Sequence, residues 1–409
     1  MTVDAEVSAL FRAERGRIVA TLIRLTGDWD LAEECVQDAF ARALECWPRE
    51  GVPLRPGGWL TTTARNRALD RLRRAGVEAA KLREVAAMPD DTSTEGWDVE
   101  DDGIGDDLLR LIFTCCHPAL TLEARVALTL RTVAGLTTAE IARAFLVPEA
   151  TMTKRLVRAR QKIRNARIPY RVPPAHLLPE RTVGVLAVLY LLFNEGYAAG
   201  GGGELLRREL CAQAIRLART LVALMPDEPE AVGLLALMSV QDSRRDARFD
   251  PAGDLVPLDR QDRSRWDRAQ VEEGVALLDA ALRRGRPGPY QVQAAIAACH
   301  ATAVRAEDTD WPQIALLYGE LLKLVPSPVV RLNRAVAVAM VDGPAAGLAL
   351  VDDLADEITG HLLPATRADL LRRLGREPEA RAAYERARDL APTDAERRHL
   401  TRLITALPG

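Results

Sequence analysis

The spacing of apolar residues predicts helices along most of this chain. Between Asp30 and Glu45, small and apolar residues recur every three to four positions, as they do on one face of an α-helix. That face carries Leu31, Cys35, Ala39, Phe40 and Ala43, and the opposite face carries Glu33, Glu34, Gln37, Asp38 and Arg42. A second stripe, between Trp59 and Arg74, consists of Leu60, Ala64, Ala68 and Leu72, with Arg67, Arg71 and Arg74 on another face. Both segments are predicted to be amphipathic helices.

The remaining segments extend the helical pattern and suggest where the chain divides. Residues 84–107 lack periodicity and are predicted to form a flexible linker. Near the end of the chain, the helix-ending prolines Pro326 and Pro392 are 66 residues apart, close to twice the length of a tetratricopeptide repeat. We predict an all-α fold with domains at 1–83, 108–168 and 169–409, joined by the linker 84–107.

Composition supports helices and reveals a local segregation of charge. The chain has 409 residues, 48% of them hydrophobic and only 4% aromatic. The net charge of −3 conceals seven Lys or Arg and no acid in 151–168, and ten acids and no base in 84–107. A basic segment of this kind can bind nucleic acid although the whole chain is acidic. Fully extended, the linker would span roughly 80–85 Å, enough for two tethered domains to reach separate DNA sites.

Several classes of function are disfavoured by what the sequence lacks. We see no signal peptide and no apolar run of membrane-spanning length, so the cytoplasm is the expected location. The six cysteines have no paired spacing, and Cys115-Cys116-His117 lacks a second ligand pair, so neither a metal nor another cofactor is expected. No nucleophile or substrate pocket can be identified, and we expect that the protein is not an enzyme.

A helix-turn-helix pattern precedes the basic segment. Thr137 and Glu140 have the spacing of a capping box, and Leu136 and Ile141 that of a hydrophobic staple. A short turn at 146–147 leads to Pro148, where a second helix is predicted to begin. The candidate DNA-contacting residues on this helix are Thr151, Lys154, Arg155 and Arg158, with Leu156 on the inner face. The alternative is a solvated cationic helix on a helical bundle.

This second segment resembles region 4 of bacterial RNA polymerase sigma factors. The resemblance rests on Glu140-Ile141-Ala142, Thr151, Arg155-Leu156 and Arg158-Ala159-Arg160. In that family the domain recognises the −35 promoter element. Leu146 departs from the family pattern, which usually has glycine in the turn, and a positive φ at a non-glycine residue costs about 1 kcal/mol.

The amphipathic helix predicted between Asp30 and Glu45 resembles sigma region 2.2. The resemblance rests on Ala32-Glu33-Glu34, Gln37-Asp38 and Phe40. The resemblance implies that this helix binds the clamp of the polymerase β′ subunit. The candidate contact residues are Glu33, Glu34, Gln37 and Asp38, whereas Phe40 is expected to pack inside. An ordinary solvated helix face is the alternative interpretation.

The next helix looks like the sigma helix that opens and reads the −10 element, through Trp59-Leu60, Ala64-Arg65-Asn66, Asp70 and Arg73-Arg74. Strand opening requires a basic surface along the backbone and a pocket for an extruded base. The candidate DNA-binding residues are Trp59, Arg65, Asn66, Arg67, Arg71, Arg73 and Arg74. Trp47 and Trp59 are suited either to stacking on DNA or to the protein core.

The long C-terminal segment resembles the extension of a sigma subgroup that has a tetratricopeptide-like domain. Three stretches carry this resemblance: residues 193–197, residues 262–267, and Pro326-Ser327-Pro328 with Leu332-Asn333-Arg334. Asn194, Glu195, Asp262, Arg263 and Arg334 either line a binding surface or satisfy one another between helices. The resemblance implies that the extension regulates the sigma domains through intramolecular contacts.

Taken together, these features resemble a sigma factor of the extracytoplasmic-function (ECF) type. The resemblance implies core RNA polymerase as a partner, through the β′ clamp and the β flap, and promoter DNA as a second partner. Two other functions stay open: a conventional helix-turn-helix regulator whose repeats sense a ligand or protein, and a repeat scaffold whose basic helices contact other proteins. Neither alternative requires a helix that reads the −10 element.

Overall fold

The computed structural model of the protein describes residues 3–74, 102–145, 147–197, 204–250, 254–355 and 357–407. Within these ranges every regular element is helical, apart from an isolated antiparallel bridge between Phe249 and Leu255. The predicted all-α fold class is therefore confirmed. The chain divides into two compact units, Met1–Leu192 and Phe193–Gly409.

The first unit is built around its N-terminal helix. This helix packs against the next three long helices and against a short π-helical segment. The helix Glu149–Asn165 packs on the two short helices that precede it. The core of the unit is formed by leucine, isoleucine, alanine and phenylalanine side chains, among them Leu22, Leu60 and Phe113. The elements are α1 (Val3–Thr26), α2 (Trp29–Glu50), α3 (Pro56–Arg74), α4 (Asp102–Cys115), α5 (Leu122–Leu128), the π segment (Thr129–Val133), α6 (Thr138–Ala144), α7 (Glu149–Asn165) and α8 (Leu178–Tyr197).

Side-chain caps fix the start of several of these helices. The Asp28 carboxylate accepts hydrogen bonds from the Asp30 and Leu31 amides and begins α2. At α6 the predicted capping box is confirmed: the Glu140 amide donates to the Thr137 hydroxyl at 3.2 Å, and the Thr137 amide donates to the Glu140 carboxylate at 2.7 Å. The amino acids at these positions therefore determine the helix starts locally.

Two predicted boundaries differ from the structure. Helix α4 begins at Asp102, inside the segment predicted to be a linker, and the rest of that segment belongs to 75–101, which lies outside the described residues. Helix α8 lies beyond the predicted end of the second domain at 168, yet Arg181 donates to the Phe113 carbonyl at 2.7 Å. The first unit therefore extends to Leu192, because residues after 168 complete its packing. Leu146, the turn residue where the sigma family usually has glycine, also lies outside the described residues.

The second unit is a succession of helices in which each packs on its neighbours in the chain. The packing runs continuously from helix Glu204–Leu224 to helix Asp394–Thr405. Helix Pro229–Asp242 contacts both of the long helices that follow it. The apolar clusters of the unit are assembled in the same sequential way, with Tyr384 in the last and largest. The helices are α9 (Glu204–Leu224), α10 (Pro229–Asp242), α11 (Arg268–Leu282), α12 (Pro289–Thr302), α13 (Trp311–Leu324), α14 (Pro328–Val341), α15 (Pro344–Asp352), α16 (Leu362–Arg373), α17 (Glu377–Leu390) and α18 (Asp394–Thr405).

Candidate nucleic-acid interface

Helix α7 has one buried face and one basic, exposed face. Its buried face consists of Met152, Leu156, Ala159 and Ile163, at the helical spacing that seats α7 on the unit. Of the predicted −35 residues, Thr151, Lys154 and Arg158 are exposed and Arg155 is half-buried. The expected inner role of Leu156 is confirmed. The helix can therefore present several hydrogen-bond donors to phosphates or base edges without disturbing its packing.

Helix α3 presents a second basic surface. Asn66, Arg67, Arg73 and Arg74 are exposed, and Arg71 is half-buried. Arg65 differs, because only 8% of it is exposed and it lies on the buried side of the helix. A structural role therefore fits Arg65 better than direct contact with DNA.

The two tryptophans near α3 form one aromatic pair. The rings of Trp47 and Trp59 have centroids 5.4 Å apart in an edge-to-face arrangement. Trp47 is buried, which favours the core role for this residue. Trp59 is half-buried and keeps part of its ring accessible, so of the two it is the better candidate for stacking on a base.

The acidic face of α2 is already occupied by arginines within the protein. Arg71 of α3 pairs with Glu34 and, at 3.0 Å, with Asp38. The pair with Glu34 raises the pKa of Arg71. Gln37 is exposed. Residues that the sequence assigned to polymerase binding and to DNA binding therefore contact one another.

Glu33, the fourth predicted polymerase contact, joins α2 to the helix-turn-helix region. Its carboxylate lies 2.6 Å from Arg160 of α7 and 3.1 Å from Arg131 of the π segment. Arg160 also pairs with Asp30 of α2. The Glu33 side chain is only 7% exposed, and Phe40 on the same helix is buried as expected. We refer to Glu33, Arg131, Arg160 and the neighbouring Arg15 as the Glu33 cluster.

Arg15 anchors α1 to the π segment within this cluster. Its guanidinium donates to the carbonyls of Arg131 and Thr132, each at 3.0 Å, although only 2% of the residue is exposed. These carbonyls lie at a helix end, where intrahelical partners are missing. Burial, together with Arg131 and Arg160 and against the attraction of Glu33, lowers the pKa of Arg15 to about 10.

A glycine permits the same close approach. A Cβ atom at Gly16 would lie 2.7 Å from the carbonyl oxygen of Val133, which is shorter than an allowed contact. Glycine at position 16 therefore lets α1 and the π segment meet backbone to backbone.

A second set of polar contacts joins α1 to α4 and to Tyr170, which follows α7. The buried Asp107 pairs with Arg24 of α1 at 2.8 Å. The Tyr170 hydroxyl donates to the Ala20 carbonyl at 2.8 Å, and burial and the Asp107 carboxylate raise its pKa. Sequence reasoning missed these contacts and the Glu33 cluster, because partners more than 60 residues apart leave no periodic signal.

The cysteines do not form a metal centre in the part of the chain that the structure describes, and no cluster of three His, Cys, Asp or Glu side chains there could hold a metal ion. Cys115 and Cys116 are buried free thiols. Burial raises the pKa of both, to about 11 for Cys116, which disfavours the thiolate form that metals require. No helix among the described residues is long and apolar enough to cross a bilayer.

Family comparisons agree with the two basic surfaces. Residues 10–77 match the family described as Sigma-70 region 2, and residues 110–163 match Sigma-70, region 4. Residues 181–282 match a family of unknown function, DUF6596. The chain therefore combines two sigma domains with a C-terminal extension. No solved structure matches it.

Similarity to individual proteins supports the same class. The chain is 46% identical over 399 residues to an uncharacterized protein of Rhizobium meliloti strain 1021, covering 97% of this chain and 94% of that relative. It is 32% identical over 157 residues to the ECF RNA polymerase sigma factor SigL of Mycobacterium tuberculosis, covering 37% of this chain and 85% of SigL. The probable ECF RNA polymerase sigma factor SigI of the same species is 32% identical over 170 residues, which cover 41% of this chain and 58% of SigI.

A helix-turn-helix with a basic recognition helix, docked on a helical domain with its own basic face, defines a transcription initiation factor. The chain belongs to the ECF RNA polymerase sigma factors and carries a C-terminal extension. Its sigma domains imply binding to core RNA polymerase and to promoter DNA.

Proposed function

We propose that this sigma factor directs core RNA polymerase to promoters with two spaced elements, one read by α7 and the other by α3. The observation that carries the proposal is the pair of exposed basic helix faces, one in each sigma region. Thr151, Lys154, Arg155 and Arg158 contact the −35 element through phosphates and guanine edges. The exposure of three of these residues, above a well-packed inner face, supports this assignment.

The −10 element is opened and bound by α3. Asn66, Arg67, Arg73 and Arg74 follow the strand, and Trp59 stacks on a base beside it. Arg71 joins them once it is released from Glu34 and Asp38. The burial of Arg65 supports a different role, in which it holds α3 in place.

Core polymerase binds the acidic face of α2, and its β flap binds region 4. Glu34, Gln37 and Asp38 are the accessible part of the α2 face, whereas Glu33 is engaged with Arg131 and Arg160. Full contact between α2 and the β′ clamp therefore requires that Arg160 leaves Glu33. In this proposal the free protein is closed and the polymerase-bound protein is open.

The extension regulates these steps through contacts with the sigma domains. The support is its size: it forms a second compact unit, far larger than promoter recognition requires. We further propose that the protein acts in the cytoplasm, where its polymerase and DNA are, and performs no chemistry of its own. Sigma factors are non-catalytic, and the sigma domains account for both basic surfaces.

Run-off transcription with purified core polymerase on a genomic promoter library tests the proposal. We expect new transcripts that require the protein and share two upstream elements. Arg158→Gln should weaken them, because it removes a donor at the −35 element, while the matched control Arg386→Gln on the exposed surface of α17 should not. Equal transcription with both variants would contradict the assignment of α7.

Two other outcomes separate the alternatives. Specific binding to duplex DNA with no polymerase-dependent transcript, from the intact chain and from residues 1–192 alone, would identify a conventional helix-turn-helix regulator. Transcripts from the shorter fragment but not from the intact chain would show that the extension inhibits. Equal transcripts from both across growth-relevant conditions would remove the regulatory role of the extension.

A further inference from the structure

The second unit contains a large cavity, and none of the residues proposed to contact DNA or polymerase lines it. Its volume is about 920 Å³, within the size range of small-molecule sites, which is roughly 300–1,000 Å³. The wall is formed by loop 255–263, the end of α12 and parts of α13, α14, α16, α17 and α18. Segments that are distant in sequence therefore converge on one cavity that is open to solvent on one side.

Loop 255–263, which lines the cavity, is held in place at both ends. At one end, Asp254 accepts hydrogen bonds from Arg398 at 2.6 Å and from Arg402 at 3.0 Å, which ties the loop to α18. At the other end, the buried Arg263 donates to the carbonyls of His300 at 2.6 Å and Ala303 at 2.7 Å. The Asp262 carboxylate accepts from the Ser264 amide beside it. The cavity is thus preformed, which favours ligand binding because little ordering is needed.

Much of the cavity wall is apolar and aromatic. Leu258, Trp311 and Leu403 line it and are half-buried, so part of each side chain is accessible from the cavity. The ring of Trp311 contacts the ring of His300 edge to face at 5.2 Å. Burial and the nearby Arg244 and Arg263 lower the pKa of His300 to about 4, so its imidazole is neutral at physiological pH. This part of the wall fits an apolar portion of a ligand.

The polar part of the wall has an excess of positive charge. Four arginines (Arg260, Arg263, Arg372 and Arg373) face three carboxylates (Asp259, Asp369 and Glu396), which leaves a surplus of one positive charge. Asp369 is paired with Arg372 at 2.6 Å, and Glu396 accepts the capping hydrogen bonds of α18 from Thr393. Arg373 makes only long contacts of 3.4 Å, to Met340 and to the Ala339 carbonyl. Arg260 and Arg373 are therefore available to an acidic group.

We propose that this cavity binds an amphipathic organic anion, in which an apolar body carries one carboxylate, sulfonate or phosphate group. The apolar body lies against Leu258, Trp311 and Leu403, which line the cavity and keep accessible surface. The acidic group lies near Arg260 and Arg373, because a guanidinium binds such oxygens with strong, charge-assisted hydrogen bonds. A bound anion would also join loop 255–263 to α16, and so brace the second unit.

Two fluorescent probes with the same apolar body test the proposal on the full chain. The anion 1-anilinonaphthalene-8-sulfonate carries a sulfonate, and N-phenyl-1-naphthylamine is its uncharged analogue. We expect saturable binding of the anion at one site, with the double variant Arg260→Gln/Arg373→Gln binding it about tenfold more weakly. The uncharged probe should bind that variant as it binds the wild type, because the apolar wall is unchanged.

Two further variants complete the design. Arg386→Gln removes an exposed arginine of α17 that does not line the cavity, and it should leave both probes unaffected. Ala365→Phe adds a ring within the cavity and should weaken both probes. The thermal melt of each variant shows whether it is folded. Because Arg260 and Arg373 are exposed, we expect the double variant to keep the wild-type fold.

Loss of anion binding in the double variant, with the uncharged probe retained, would support the proposal. Equal affinity of the anion for wild type and double variant would overturn it, as would equal loss of both probes. Binding of the anion that Ala365→Phe leaves unchanged, in a folded protein, would place the probe outside the cavity and also overturn it.

Discussion

The carboxylate of Glu33 lies nearly buried between the guanidinium groups of Arg131 and Arg160. It is a predicted polymerase contact, and in this structure the two ion pairs occupy it. Removing one member of a buried ion pair is costly, because the charges that remain lose their partner while staying out of water.

We therefore predict that Glu33→Gln lowers the free energy of unfolding of the first unit by about 3 kcal/mol. The amide keeps the shape of the side chain but leaves Arg131 and Arg160 without their shared carboxylate. Chemical denaturation followed by circular dichroism measures the effect. Glu45→Gln, on the exposed side of the same helix, is the matched control and should behave like the wild type. Equal midpoints for the two variants would show that the Glu33 cluster contributes nothing.

A second prediction concerns the close approach of α1 to the π segment. Gly16→Ala should destabilise the first unit by about 1–3 kcal/mol, because the new methyl group meets the Val133 carbonyl and the backbones must separate. Gly57→Ala in α3 is the control, since its Cβ would make ordinary contacts of 3.5 Å or more with Glu14. That change should be neutral or slightly stabilising. Thermal melts of both variants decide the question, and a stabilised Gly16→Ala protein would contradict the geometry.

A third prediction is the acid sensitivity caused by His300. Its pKa falls from an ordinary 6.5 to about 4 in the folded protein. Between these values the unfolded chain takes up a proton that the folded chain does not, so stability decreases as the pH falls, by up to about 1.4 kcal/mol per pH unit. Well above pH 6.5 the histidine is neutral in both states and has no such effect.

His300→Gln removes this one titration. The difference in unfolding free energy between wild type and variant should be constant above pH 7 and shift in favour of the variant as the pH falls towards 4. Denaturant titrations at several pH values measure it. Parallel stability curves over the whole range would show that His300 does not cause the acid sensitivity.

At the scale of the element, α7 presents two arginines to different surroundings. Its Arg158 side chain is exposed, and its Arg160 side chain pairs with Glu33 and Asp30. Two residues apart on a helix, the side chains point about 200° apart. If Arg158 contacts the −35 element as we propose, the same helix links promoter recognition to the contact between the two sigma regions.

We predict opposite effects for alanine at these two positions. Arg158→Ala should weaken promoter binding and reduce the slope of log affinity against log salt by about one unit, because one phosphate or base contact is lost. Arg160→Ala should leave that slope unchanged and tighten binding to core polymerase, because Glu33 becomes more accessible. Salt titrations by fluorescence anisotropy and a core-binding assay measure the two effects. Weaker core binding by a folded Arg160→Ala protein would contradict the closed state.

At the scale of the whole molecule, the boundary between the units lies within α8. Arg181, Val185 and Leu189 precede it and contribute to the first unit, and Arg181 donates to the Phe113 carbonyl. The repeat-like unit follows, with its own apolar clusters and its own cavity. The sigma domains and the helix that completes them therefore form one folding unit.

This boundary predicts a difference between two fragments. Residues 1–192 should fold cooperatively, whereas residues 1–171 should be markedly less stable, because Phe113 and Cys116 lose the cover of α8. Circular dichroism melts and proteolysis compare the two. Identical melting temperatures would place the boundary near 168 instead, as the sequence alone suggested.

Local patterns in the sequence are enough to predict the all-α class, the capping box at Thr137 and Glu140, and the basic face of α7. These properties depend on residues that are neighbours in the chain, where helical periodicity and side-chain caps act over three or four positions. The burial of Phe40 and Leu156 follows from the same periodicity.

Which charged side chains pair with one another depends on the tertiary packing of the helices. Glu33 and Arg160 are 127 residues apart, and loop 255–263 reaches α18 through Asp254 and Arg398, 144 residues apart. No local pattern encodes such pairs, because they depend on how packed helices bring distant faces together. The same reason explains why Arg65 is buried among basic neighbours that are exposed, and why the cavity could not be seen in the sequence.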